Sequence, residues 1–307
     1  MTSVTPESIR QAHARIGAWV RRTPSLALPE LGAVTLKLEL LQHAGSFKTR
    51  GAFNNLLSRQ VPPVGVTAAS GGNHGVAVAQ AAARRKVPAR IFVPEIASKV
   101  KVAAITAAGA QVVVGGARYA DAQAACDVFA KDTGALLLHP FDSFETMSGA
   151  GTVALEWEED GGALDTVLVA CGGGGLVAGM AAWWQKRVKV IAVEPEGSRC
   201  LHAALEAGQP VDVPVESIAA DSLGARRVGS LVFEVAKTLV DRVVLVDDGQ
   251  IRDAQRWLWA HPRLAAEPGG AAAFAALLGG RYQPAPGERV GVLVCGSNVD
   301  LATLGGP

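Results

Sequence analysis

Residues 166–185 read TVLVACGGGGLVAGMAAWWQ. Thr166 to Cys171 is a short, unbroken apolar run, the pattern of a strand covered on both faces. Four glycines, Gly172, Gly173, Gly174 and Gly175, end it, and an Ala-rich segment of helical length follows from Leu176 to Gln185. The same unit of strand, glycine turn and helix recurs along the chain. Val64–Ser70 leads to Val76–Arg85, Arg90–Val93 to Ser98–Ala108, and Gln111–Val114 to Tyr119–Thr133. Val34–Leu40, Val188–Val193, Arg242–Val246 and Arg289–Cys295 read as further strands. Thr5-Pro6-Glu7 opens a capped helix over Ser8–Val20. Strands alternating with helices predict a doubly wound α/β protein with parallel sheets and right-handed crossovers. A ligand in such a fold belongs at the carboxyl ends of the strands.

Bulk properties narrow the function. The 307 residues are 49% hydrophobic and 19% charged, enough for a sizeable core. Lys and Arg total 29 against 28 Asp and Glu, a balance that argues against a nucleic-acid partner. Cys126, Cys171, Cys200 and Cys295 form no CxxC pair and have no His cluster at zinc spacing, so they read as reduced thiols of a cytoplasmic protein. No signal peptide and no apolar run of membrane-spanning length is present, and no membrane partner is expected. Polar, Gly-bearing stretches near Ala44–Ser46 and Asp142–Gly151 predict two lobes. The larger would comprise residues 1–52 and 145–307, the smaller 53–144.

Four segments carry chemistry. In Gly45-Ser46-Phe47-Lys48-Thr49-Arg50-Gly51-Ala52, a Lys follows an aromatic residue just before a predicted helix over Ala52–Arg59. A Schiff-base amine must become neutral, and apolar burial lowers a Lys pKa. The bland alternative is a solvated surface Lys. Ser70-Gly71-Gly72-Asn73-His74-Gly75 joins a strand to a helix, where backbone N–H groups can grip an anion; an ordinary Gly-Asn turn is the alternative. The tetraglycine suits a phosphate cradle. It also fits a dinucleotide fingerprint, Gly173-x-Gly175-x-x-Ala178, with Glu194 closing the next strand. Val292-Leu293-Val294-Cys295-Gly296-Ser297-Asn298 ends a buried strand in a thiol, which could equally be a core residue.

Together, in this order, the segments resemble the fold-type II pyridoxal-phosphate enzymes, and within them the serine/threonine dehydratase and serine racemase group. The resemblance runs from Thr23-Pro24 to Asn298-Val299-Asp300-Leu301. It implies two lobes, each with a mostly parallel twisted sheet flanked by helices, and pyridoxal 5'-phosphate as cofactor. Lys48 would hold the cofactor and shuttle the α-proton. Phe47 would pack beside the pyridine ring and Asn73 would bond its 3-hydroxyl. Gly172, Gly173, Gly174, Gly175 and Leu176 would bind the phosphate, with Cys295 at the ring nitrogen and Glu267 near the ring. Ser70, Gly71, Asn73 and His74 would line the substrate carboxylate site. Ala220-Asp221-Ser222-Leu223 either covers the substrate, where the family has an Ala-Asp segment, or is a surface loop.

The implied reaction is loss of water from a small β-hydroxy amino acid such as serine or threonine, giving a 2-oxo acid and ammonia. Racemases of the group carry a Ser where this chain has Gly71, so serine racemisation is the alternative. An NAD-linked oxidoreductase is a remoter one. Metal-dependent members place an Asp where this chain has Cys200, so no metal is expected beside Glu194. The expected partners are the amino-acid substrate and a second copy of the chain.

Overall fold

A computed structural model describes residues 3–161 and 163–303. The helices are α1 (Pro6–Ile16), α2 (Lys48–Ser58), α3 (Asn73–Arg85), α4 (Lys99–Ala107), α5 (Tyr119–Thr133), α6 (Phe144–Glu159), α7 (Gly175–Trp184), α8 (Cys200–Ala207), α9 (Ala220–Leu223), α10 (Ser230–Leu239), α11 (Asp248–Ala260) and α12 (Pro268–Leu278). The strands are β1 (Ser25–Leu28), β2 (Val34–Lys37), β3 (Val66–Ala69), β4 (Ala89–Val93), β5 (Gln111–Val114), β6 (Leu136–Leu137), β7 (Thr166–Ala170), β8 (Lys189–Pro195), β9 (Arg242–Val246) and β10 (Val290–Leu293).

Two sheets result. Six strands lie in the order β1-β2-β10-β7-β8-β9 and four in the order β5-β4-β3-β6. Every pairing is parallel except β1 with β2. All five residues of β7 are buried, as its unalternating apolar run requires when helices cover both faces. Val290 pairs with Thr166 and Val34, so β7 and β10 end side by side and deliver the tetraglycine and Cys295 to one edge.

Two expected boundaries shift, for stated reasons. Helix α1 stops at Ile16 with Gly17 as its C-cap rather than running to Val20. Trp19 then turns to pack its ring 5.5 Å from that of Phe53. The stretch Asp142–Gly151, near which a lobe boundary is expected, enters α6 at Phe144, and α6 is buried continuously from Thr146 to Trp157. Its glycines mark close helix contacts and not a turn. A Cβ on Gly149 would lie 2.8 Å from the Arg50 carbonyl, and one on Gly151 would lie 2.7 Å from the Gly179 carbonyl. We retain the division into residues 1–52 with 145–307 and 53–144 as a proposal; its outer ends, residues 1–2 and 304–307, lie outside the described residues.

Under the first turn of α2 lies a dry ionic cluster. Arg50 is wholly buried and forks onto Glu39, with Nε to Oε2 at 2.9 Å and Nη2 to Oε1 at 2.7 Å. Its Nη2 also reaches Glu156 Oε2 at 2.9 Å. Lys37 Nζ, equally buried, donates to Glu156 Oε1 at 2.9 Å, Asp160 Oδ2 at 3.0 Å and the Thr23 carbonyl at 2.7 Å. Buried charges persist only when paired this completely. The cluster ties α2, α6 and the end of β2 into one frame two residues from Lys48.

Candidate active site

Lys48 is the first residue of α2, and backbone bonds fix it against the end of β10. Phe47 N donates to the Cys295 carbonyl at 3.1 Å, and Ser46 bridges to Gly296. Lys48 Nζ lies 5.1 Å from the Phe47 ring centroid and donates to the Pro140 carbonyl at 2.5 Å. No carboxylate pairs with it among the described residues. Lys48 is half-buried, yet protein surrounds it closely enough that desolvation pulls the amine down to about 8.

The turn before α3 forms the opposite wall. Ser70 Oγ accepts from Gly72 N at 3.1 Å, just ahead of the first turn of α3, whose opening amides lack intrahelical partners. Asn73 Nδ2 donates to Glu267 Oε1, and Asn73 Oδ1 accepts from Asn298 Nδ2 at 2.9 Å. That leaves one Asn73 amide hydrogen for a ligand. His74 Nε2 donates to the Leu138 carbonyl at 2.9 Å, which fixes its tautomer. Burial, and then the nearby Lys48 amine, hold His74 down to about 3, so it is a neutral ring.

The tetraglycine closes the floor. Gly174 has φ +84°, a left-handed conformation that glycine adopts freely, and α7 begins at Gly175. The Phe141 ring lies against Gly173, where any Cβ would collide with it. A Cβ on Gly175 would stand 2.5 Å from the Phe141 carbonyl. Bare backbone at a helix N-terminus is the chemistry of a phosphate seat, so the residues fit the cofactor that the sequence implies. Gly175→Ala would force that backbone apart. We expect its Kd for pyridoxal phosphate to rise about tenfold or more, read by titrating the apoprotein and following absorbance.

Cys295 Sγ is buried and donates to the Gly269 carbonyl at 3.5 Å. Burial, together with the Glu267 carboxylate, pushes the thiol up to about 12, so it stays protonated at neutral pH. Glu267 is wholly buried between Asn73 and Lys101. The structure therefore gathers Phe47, Lys48, Asn73, the tetraglycine, Glu267 and Cys295 at one place, with Ser70, Gly71 and His74 beside them.

Sequence reasoning missed three participants. His139 Nδ1 accepts from Asp142 N at 2.8 Å and Phe141 N at 3.3 Å, which leaves its proton on Nε2. Phe141 stacks edge-on against it at 4.8 Å and faces the glycines. Lys101 reaches Glu267 and Asp221. The His-Pro-Phe run between β6 and α6 carried no local signal, because its importance comes from the partners that folding brings.

The dinucleotide alternative fails on Glu194. A ribose-binding carboxylate must face the crevice, but Glu194 is wholly buried and accepts from Leu201 N at 2.9 Å and His202 N at 2.8 Å. Burial raises it to about 7. Among the described residues, no group of three or more His, Cys, Asp or Glu side chains is placed to hold a metal ion. No described helix is long and apolar enough to cross a membrane.

A lone amine beside an anion cradle, at the carboxyl ends of parallel strands, defines an enzyme that works through a phosphorylated carbonyl cofactor. The pyridoxal-phosphate dependent enzyme family matches residues 16–296. Phenylserine dehydratase of Ralstonia pickettii is 40% identical over 99% of this chain and 96% of its own. L-threonine ammonia-lyase of Thermotoga maritima is 35% identical over 97% of this chain and 76% of its own. Maize serine racemase superposes with a TM-score of 0.93 at 35% identity, covering 99% of this chain and 96% of that one. The chain belongs to the pyridoxal-phosphate-dependent enzymes, in their fold-type II lyase class, and takes pyridoxal phosphate as its cofactor.

Proposed function

We propose that the chain is a β-hydroxy amino acid dehydratase, which releases a 2-oxo acid and ammonia. One observation carries the choice of elimination over racemisation. The position from which the resembling racemases would deliver a second proton is Gly71, and the methyl of Ala97 fills the space a side chain there would need. Lys48 is thus the amine that serves the α-carbon, and no side chain at position 71 can return a proton from the other face.

Bound pyridoxal phosphate supplies an electron sink for the charge left on the α-carbon. The amides of Gly172, Gly173, Gly174, Gly175 and Leu176 would hold its phosphate, Asn73 its ring hydroxyl and Cys295 its ring nitrogen. A neutral thiol there makes no ion pair, which suits prompt loss of the β-hydroxyl. Ser70, Gly71, Asn73 and His74 would receive the substrate carboxylate at the N-terminus of α3. Lys48 Nζ accepts the α-proton when it is neutral.

That last step sets a pH dependence. Below about 8 the Lys48 amine is protonated and cannot act as a base. We expect kcat, which reports the substrate complex in which Lys48 is a free amine, to fall as pH falls through that region and to level off above it. A profile flat across the same range would exclude Lys48 as the titrating base.

The substrate is a serine- or threonine-like amino acid, and the 40% identity with phenylserine dehydratase adds a phenyl-bearing one. The deciding assay feeds the holoenzyme L-threonine, L-serine, D-serine and L-threo-phenylserine, and measures 2-oxo acid, ammonia and serine enantiomers. Oxo acid from the L-amino acids supports the dehydratase. Interconversion of serine enantiomers without oxo acid would replace it with the racemase.

A further inference from the structure

Helix α4 sends one side chain across the cleft that the reaction above leaves unused. Lys101 is wholly buried, and its Nζ donates to Glu267 Oε2 at 2.7 Å and to Asp221 Oδ2 at 2.7 Å. A buried ammonium needs partners of this quality. Both carboxylates belong to segments that pack with the six-stranded sheet, whereas α4 packs on α3 and β5 of the four-stranded side. The other Glu267 oxygen, Oε1, accepts from Asn73 Nδ2, which also comes from the four-stranded side. One carboxylate at the head of α12 is therefore gripped through both oxygens by donors from the opposite sheet. Gly296 leaves it room, since a Cβ there would strike Glu267 Oε1.

The second arm differs. Glu267 is 1% exposed, but the Asp221 side chain is 42% exposed, at the rim. The Asp221 backbone also touches the substrate loop, where a Cβ on Gly72 would lie 2.7 Å from its carbonyl. An exposed arm can release and re-form at modest cost, while a buried one cannot.

We propose that Lys101 is a positioning residue that clasps the four-stranded sheet against the six-stranded one across the active site. Through Glu267 it keeps Asn73 in register with the ring hydroxyl of the cofactor. Through Asp221 it governs when the loop of residues 70–74 can part to admit or release the amino acid. Loss of the Asp221 arm loosens closure yet leaves Glu267 paired, so substrate retention suffers more than turnover. Loss of Lys101 strands Glu267 and frees the Asn73 amide to reorient.

The kinetic arm of the test rests on the dehydratase reading; the other two arms do not. Holoenzyme of the wild type, D221N and K101M would be compared by deuterium exchange in peptides spanning residues 94–107 and 219–224. The absorption band of bound pyridoxal phosphate would be followed from about pH 6 to about pH 9, and steady-state kinetics run with L-threonine or L-threo-phenylserine. D221N should exchange faster in both peptides and raise KM about tenfold with a smaller fall in kcat. K101M should move the pH midpoint of the cofactor band and lower kcat about 100-fold. D221N removes a partly exposed charge and strands none, so its folding is secure. Wild-type exchange and KM in D221N would overturn the clasp. A wild-type band and kcat in K101M would overturn the action through Asn73. A wild type without dehydratase activity would sink the functional reading alone, because exchange and absorbance still judge the clasp.

Discussion

Lys48→Ala is expected to lower 2-oxo acid formation by about 10,000-fold or more and to abolish the yellow colour of covalently held cofactor. The size follows from the isolation of this amine. It is the residue that would both hold the cofactor and take the α-proton, and the neighbouring His74 is too weak a base to substitute, since burial and the Lys48 amine hold its ring down to about 3. Alanine leaves the tetraglycine intact, so cofactor should still bind, more weakly and without covalent attachment. Equilibrium dialysis against pyridoxal phosphate separates that loss from the loss of chemistry. A Lys48→Ala protein that still fixes the cofactor covalently on borohydride reduction, or keeps activity within about tenfold of wild type, would remove Lys48 from the centre of the site.

For stability, the largest single loss is expected from Arg50→Leu, at about 3–5 kcal/mol in urea unfolding of the apoprotein. Leucine fills part of the volume but leaves Glu39 and Glu156 in a dry interior with half their cations gone. Glu39 would keep only the Thr23 hydroxyl at 2.5 Å, and Glu156 would keep Lys37. Neutralising one stranded acid should recover part of the loss, so Arg50→Leu with Glu39→Gln should be more stable than Arg50→Leu alone. An Arg50→Leu protein within about 1 kcal/mol of wild type would show that the cluster contributes little. Because Arg50 lies on the same first turn as Lys48, the variant should also load cofactor less completely at a given concentration.

Much of the site was legible because its signals are local. A glycine run after an apolar strand marks bare backbone at a helix start whatever surrounds it, and β7, the tetraglycine and α7 fell within a residue or so of expectation. The Ser70–Gly75 turn carried the same kind of signature. The resemblance supplied roles that no spacing could, such as Asn73 toward a ring hydroxyl. Where the reading slipped, the signal was ambiguous. Gly149 and Gly151 suggested a joint because glycine commonly marks one, yet they serve close contact of α6 with α2 and α7.

The charged residues divide the two kinds of knowledge most clearly. Alone, the sequence determined the alternation of strand and helix and the glycine-rich turns at helix starts, because periodicity and backbone freedom depend on neighbours within a turn or two; Lys48 was singled out only by the resemblance. It did not disclose that Lys37, Arg50 and Lys101 are wholly buried. Each reads as a surface cation, because a charge can enter the interior only if partners from distant segments meet it there. Glu156 is 119 residues from Lys37, and Glu267 is 166 from Lys101. Tertiary structure alone decides such pairings, since the desolvation cost of each charge is offset only after the whole fold has closed around it.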